Sequence, residues 1–207
     1  MITEKQLKLF ETFARKPFSE FTRKQVKKES KEKSNNTLAL TIKLLKKEEV
    51  LIEKKIGRSG LLTLNLNNNL TYHYLALCNF KKITSEAVKT SVKRLKEEIS
   101  FITPFYSIVI FGSYAAGEQK KNSDLDIAVF IENTDLKKIL VASTNAAKLK
   151  TQLEMDVHII SKSEMIEMLI NDEENLGKQI ARKHLAIHNL QIFYDIIKEG
   201  MKHGFRV

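Results

Sequence analysis

The chain has no tryptophan, one cysteine and two prolines among 207 residues, with seven glycines. The lone Cys78 excludes an internal disulfide and any Cys-rich zinc site. The composition is not that of a collagen-like or disordered chain: 43% of the residues are hydrophobic and 29% charged, enough to bury a core. Long apolar runs are also missing. Segments such as Ser107 to Phe111 and Ile127 to Ile131 are strand-sized, whereas a membrane span needs about 20 apolar residues. The opening Met1 to Gln6 lacks the basic-then-apolar pattern of a signal peptide. A cytoplasmic protein with no membrane partner is therefore expected. Its length suits two small domains.

Charge is what the chain has in excess. Lys and Arg number 35 against 25 Asp and Glu, a formal net charge of +10. Residues 1–70 hold 16 basic and 8 acidic residues, and residues 71–207 hold 19 and 17. Most of the surplus thus sits in the first third, as for a basic module that meets a polyanion beside a near-neutral module with another task. The plainer alternative is that a lysine-rich surface serves only solvation.

Thr3-Glu4-Lys5-Gln6 is a capping-box pattern, followed by Leu7, Phe10, Phe13 and Ala14 at helical spacing. Pro17 ends that helix, and Thr22 to Gln25 repeats the capping pattern for a second one. A third helix, capped at Ser34, Asn35 or Asn36, runs to about Glu48 with Leu38, Ile42 and Leu45 as its core stripe. Val50 to Ile56 and Leu61 to Leu66 read as strands joined by Gly57-Arg58-Ser59-Gly60, whose glycines suit a tight hairpin. Three helices followed by a hairpin resemble the winged helix-turn-helix family. The resemblance implies DNA as partner: Asn36 and Thr37 at base edges, Lys43 and Lys47 on phosphates, Arg58 near a minor groove. Dimerisation, giving a homodimer, or docking of another protein is the alternative use of such a module.

The strongest motif follows. Ile108 to Phe111 reads as a buried strand that stops at Gly112-Ser113, where glycine lets backbone N–H groups approach an anion and the serine adds a hydroxyl. Gly112 and Gly117 have the spacing of a P-loop, but Glu118-Gln119 stand where Lys and Ser/Thr are required, so that reading fails. Asp124-Leu125-Asp126 then leads into a second strand. Alternation puts both carboxylates on one face, about 7 Å apart along the backbone. Two such charges repel unless a cation lies between them, and magnesium, which shares carboxylates with nucleotide phosphates, is the natural choice.

Gly112-Ser113 followed ten residues later by Asp124-Leu125-Asp126 resembles the minimal nucleotidyltransferases of the DNA polymerase beta superfamily. The resemblance implies a small mixed sheet flanked by helices, a triphosphate on Gly112 and Ser113, and two Mg²⁺ ions on Asp124, Asp126 and a third carboxylate. Asp156, before a Val-x-Ile run, fits that third position, and Glu154 is the reserve. The fold class expected is thus α/β (α+β): a winged helix over 1–70, a helical connector over 71–100 and a nucleotidyltransferase domain over 101–207. The function implied is Mg-dependent transfer of a nucleoside monophosphate, AMP from ATP by family tendency, to an acceptor hydroxyl. Relatives of this kind include antitoxins that modify a partner toxin. The alternative is a DNA-binding regulator whose second domain senses nucleotide. Towards the C-terminus, 176–201 reads as one helical stretch. There His184 and His188 stand four apart, a spacing that could grip a metal but more readily marks packed or solvent-facing histidines, and Lys178, Arg182 and Lys183 could reach a triphosphate, with ordinary solvation the default.

Overall fold

The computed structural model describes residues 2–57 and 59–206. It divides into two compact units, Met1–Lys81 and Lys82–Val207. Among the described residues no helix is long and apolar enough to cross a membrane.

In the first unit, α1 (Glu4–Arg15) and α2 (Arg23–Ser30) each begin with a capping box, from Thr3 to Gln6 and from Thr22 to Gln25. Both satisfy N–H groups that a helix start leaves without intrahelical partners. α3 (Asn35–Lys47) starts at Ser34, whose hydroxyl accepts from the Thr37 N–H. The strands β2 (Leu51–Ile56) and β3 (Ser59–Leu64) form an antiparallel hairpin, registered from Leu51 opposite Leu64 to Ile56 opposite Ser59. A two-residue strand too short to carry a periodic signal, β1 (Phe21–Thr22), pairs with the far side of β3. The core joins Phe10, Phe13, Leu38, Ile42, Leu45, Leu62 and Leu75, all buried.

The expected connector is not one element. Its first part lies in α4 (Asn69–Lys82), which packs into the first unit: Tyr74 stands edge-on to Phe10 at 5.6 Å and its hydroxyl donates to Glu48 at 2.9 Å. The second part, α5 (Glu86–Ser100), lies in the second unit with Val88, Leu95 and Ile99 buried. Each amphipathic helix found a separate core, which periodicity alone does not assign.

The second unit is built on a four-stranded mixed sheet in the order β6-β5-β4-β7. β4 (Tyr106–Ile110) runs antiparallel to β5 (Leu125–Ile131), and β5 runs parallel to β6 (Met155–Ser161). Between these come the short α6 (Gly112–Ala116) and the crossover helix α7 (Lys137–Lys148). Odd-numbered β5 residues, Leu125 to Ile131, join α5 and α7 in one apolar cluster. Even-numbered positions face the other way, where Phe130 meets Phe193 at 5.2 Å. That side carries α8 (Lys162–Ile170), α9 (Leu176–Arg182) and α10 (Leu190–Lys202).

The single helix expected over 176–201 is corrected. It is interrupted by β7 (Leu185–His188), which pairs antiparallel with β4. Leu185-Ala186-Ile187 is too short an apolar run for periodicity to tell strand from helix. The free edge of β4 decided it.

Candidate active site

The end of β4 fixes one wall of the site. Phe111 donates its N–H to the Asp126 carbonyl at 3.1 Å, and the chain then turns at Gly112 with φ 62°. A Cβ at Gly112 would overlap the Asp126 carboxylate, so glycine is needed for space as well as for backbone conformation. α6 is closed after one turn by Gly117, also left-handed at φ 73°. The Ser113 carbonyl accepts from the Glu118 N–H at 2.9 Å, which ties the following loop back to the turn. Ser113 itself is half-buried.

The carboxylates form the facing wall. Asp124 is exposed just before β5, and Asp126, the second residue of β5, is half-buried. In the parallel pairing, Asp126 stands opposite Asp156. Side chains paired in this way share a face, so strand register brings Asp156 beside Asp126. Burial raises the Asp126 pKa, and the charges of Asp156 and Asp124 raise it further, while His158 opposes them. Glu154 is exposed, one pair further out; its carbonyl accepts from the Leu125 N–H at 2.9 Å.

His158 is a neighbour that motif reasoning passed over. Its Nε2 lies 3.0 Å from Asp156 Oδ2, and its ring centroid is 5.8 Å from that of Phe111. The available signal was strand alternation, which sets 154, 156 and 158 on one face.

No three His, Cys, Asp or Glu side chains among the described residues form a ready-made metal cage. The candidate donor set is three carboxylates, and burial followed by the charges of Asp156 and Asp124 raises the Asp126 pKa. Such a set fits Mg²⁺, which takes one or two carboxylates and completes its shell with water and phosphate oxygens.

The C-terminal residues separate clearly. Lys178 is buried, and its ammonium donates to the Asn171 and Glu173 carbonyls. Arg182 is held by both oxygens of Glu174 at 2.8 and 2.7 Å. Lys183 donates to Glu118 at 3.2 Å, beside the Gly112-Ser113 turn. The two histidines are packed rather than paired for a metal: His184 precedes β7 and His188 ends it, so helical spacing does not apply. His184 contacts the Ile180 and Ala181 carbonyls and the Tyr194 hydroxyl. Burial pushes both histidines down to about 4. A cavity of about 480 Å³ beside Phe105, Glu132 and Lys162 lies at the opposite ends of the strands, away from the carboxylates.

In the first unit, Asn36, Lys43 and Lys47 are exposed along one side of α3 with Leu40, while Thr37 is half-buried in the first turn. Arg58 lies outside the described residues. Two further cations are engaged: Arg23 and Lys46 both reach Glu53 on β2, which lowers its pKa. A groove of about 360 Å³ between α2 and α3 is lined by Arg23, Lys24, Lys27 and Asn35 over Leu38, Ala39 and Ile42. The basic residues of α2 were not singled out as contacts from the sequence, because helical charge is the ordinary solvated face.

Comparison with known proteins bears on the second unit. A candidate protein adenylyltransferase, MJ1215, of Methanocaldococcus jannaschii is 45% identical over 53 residues, 25% of this chain and 62% of that protein. The chain thus spans less than two thirds of that relative's length. A crystal structure of a toxin–antitoxin with AMP-PNP aligns over 57% of this chain and 86% of its own, at 20% identity and a TM-score of 0.36. Residues 93–184, which contain Gly112, Ser113, the three aspartates and Lys183, match the family described as polymerase beta, nucleotidyltransferase.

Proposed function

We propose that the protein is an Mg-dependent nucleotidyltransferase that moves a nucleoside monophosphate, AMP from ATP, to a hydroxyl of a protein acceptor. The observation that carries the reading is the convergence of Asp124 and Asp156 on half-buried Asp126 beneath the Gly112 turn, inside the segment matched to the family. Asp124, Asp126 and Asp156 would hold the metal, with Gly112 and Ser113 binding the triphosphate through backbone N–H groups and a hydroxyl. Bound there, Mg²⁺ supplies neutralising charge and Lewis-acid polarisation at the phosphoryl oxygens. Asp156 accepts the proton of the acceptor hydroxyl. The acceptor's oxygen then forms a bond to the α-phosphorus as the bond to pyrophosphate breaks. The name of the Methanocaldococcus relative supports adenylyl as the group and protein as the acceptor. A partner toxin is the acceptor class we favour.

The test is incubation with labelled ATP, CTP, GTP or UTP, Mg²⁺ and host lysate, with and without a toxin encoded beside this chain. Label entering protein from ATP, and lost in Asp124→Asn, is the expected result. Label entering RNA or small molecules overturns the acceptor, and no label with any nucleotide overturns the activity.

The first unit is read as a winged helix-turn-helix that binds DNA through α3. What supports it is the order of three helices and a hairpin, with Asn36, Lys43 and Lys47 exposed along one side of α3. Salt-sensitive binding to duplex DNA is the expected result for this unit. Binding without any nucleotide transfer would favour the alternative, a regulator that senses nucleotide.

A further inference from the structure

We infer that Lys183 is a triphosphate-binding residue, held in reserve by Glu118 until a nucleotide arrives. The inference rests on the nucleotidyltransferase reading above and goes beyond it, since neither the motif nor the carboxylate cluster includes this lysine. A triphosphate brings several negative charges to the Gly112-Ser113 turn, and the carboxylates opposite carry charge of the same sign. A cation of the chain on the turn's own side would offset that charge beside the metal.

The structure narrows the choice among the three C-terminal cations. Lys178 is buried and spends its ammonium on the Asn171 and Glu173 carbonyls. Arg182 is engaged by both oxygens of Glu174. Lys183 follows α9 and precedes β7, whose Leu185 pairs with Ile110 of β4. Continuing that antiparallel register by two residues brings Lys183 level with Gly112. Its actual ion pair agrees with this position. Lys183 Nζ is 3.2 Å from Glu118 Oε1, and the Glu118 N–H is bonded to the Ser113 carbonyl.

The pair is built to exchange. Both side chains are more than half exposed, at 55% for Lys183 and 72% for Glu118, and exposed ion pairs of this kind are weakly held. A triphosphate on Gly112 and Ser113 repels Glu118 and offers Lys183 several phosphate oxygens in place of one carboxylate. The lysine keeps a charge-assisted bond in either position, because carboxylate and phosphate oxygens are both charged acceptors. Lysine's four-carbon stem lets the ammonium move between the two without backbone change.

Calorimetric titration of the full chain with ATP and with AMP, each in Mg²⁺, tests this. Lys183→Ala should weaken ATP binding about ten-fold while changing AMP binding less than about two-fold. Lys183→Arg should retain most of the affinity. Glu118→Gln should bind ATP as tightly as the parent or more tightly, because it releases the lysine. Arg182→Ala should leave ATP binding unchanged. Unchanged ATP affinity in Lys183→Ala, or equal losses for ATP and AMP, would overturn the role of Lys183 alone. A parent chain that binds no ATP would overturn the nucleotidyltransferase reading and this inference with it.

Discussion

The two units use charge in opposite ways. In the first, the cations proposed to act stand on the outer side of α3, exposed and apart from the apolar core. In the second, the charges of interest are acids packed against one another at a sheet end, where Asp126 is half-buried and its pKa is raised. Surface cations on a helix cost the fold little and act at a distance, where salt screens them. Clustered acids work against the fold at neutral pH and repel one another until a cation arrives. The difference teaches that stability and activity are nearly independent in the first unit and opposed in the second.

The largest test of that contrast is Asp126→Asn. Loss of a carboxylate proposed to hold the metal should reduce transfer about a thousand-fold, since several kcal/mol of charge stabilisation would depend on it. The folded state binds a proton on Asp126 more tightly than the unfolded chain does, so the ionised group destabilises the fold above its raised pKa. The Asn variant should therefore melt at the same temperature as the parent or higher. A clear fall in Tm would break the opposition drawn here.

Gly112→Ala should be nearly as damaging to transfer, about a hundred-fold, and should also destabilise by about 1–3 kcal/mol. The added Cβ meets both an unfavourable φ and the Asp126 carboxylate. Parallel denaturant melts and labelled-nucleotide assays check both effects.

In the first unit the expected effects are smaller and uniform. Lys43→Ala and Lys47→Ala should each weaken DNA binding across sequences and lower the salt slope by about 0.9, without changing Tm. Binding titrations at several salt concentrations would measure this. A slope unaltered in the double variant would remove α3 from the contact.

Acid should also separate the units. His184 and His188 titrate at about 4 when folded, against 6.5 for the free side chain. Between those values the unfolded chain binds more protons, so the second unit loses stability as pH falls from 6.5 to 4. Glu53, lowered by Lys46 and Arg23, makes the first unit lose stability only below 4.5, its ordinary value. Limited proteolysis from pH 7 to 4, mapped by mass spectrometry, should cut within 82–207 first. The smallest effect is Ser34→Ala, which removes the α3 cap and should cost about 1 kcal/mol by denaturant melt.

Much of this was legible in the residues because local physics sets it. The capping boxes at Thr3 and Thr22, the stripe on α3 and the hairpin around Gly57 all depend on neighbours a few positions apart. So does the alternation that sets Asp124 and Asp126 on one face. β1, β7 and the division of the expected connector between two cores were not legible, because each depends on a distant edge or face.

The sequence by itself determined the helices of the first unit, the hairpin, the Gly-Ser turn and the Asp-x-Asp pair, since backbone preference and side-chain periodicity act over a few residues. Only the tertiary structure decided that Asp156 stands opposite Asp126, that His158 contacts Asp156, and that Lys183 rather than Lys178 or Arg182 pairs with Glu118. Those facts follow from strand register, which is fixed by burying one face of the whole sheet and not by any short stretch of chain.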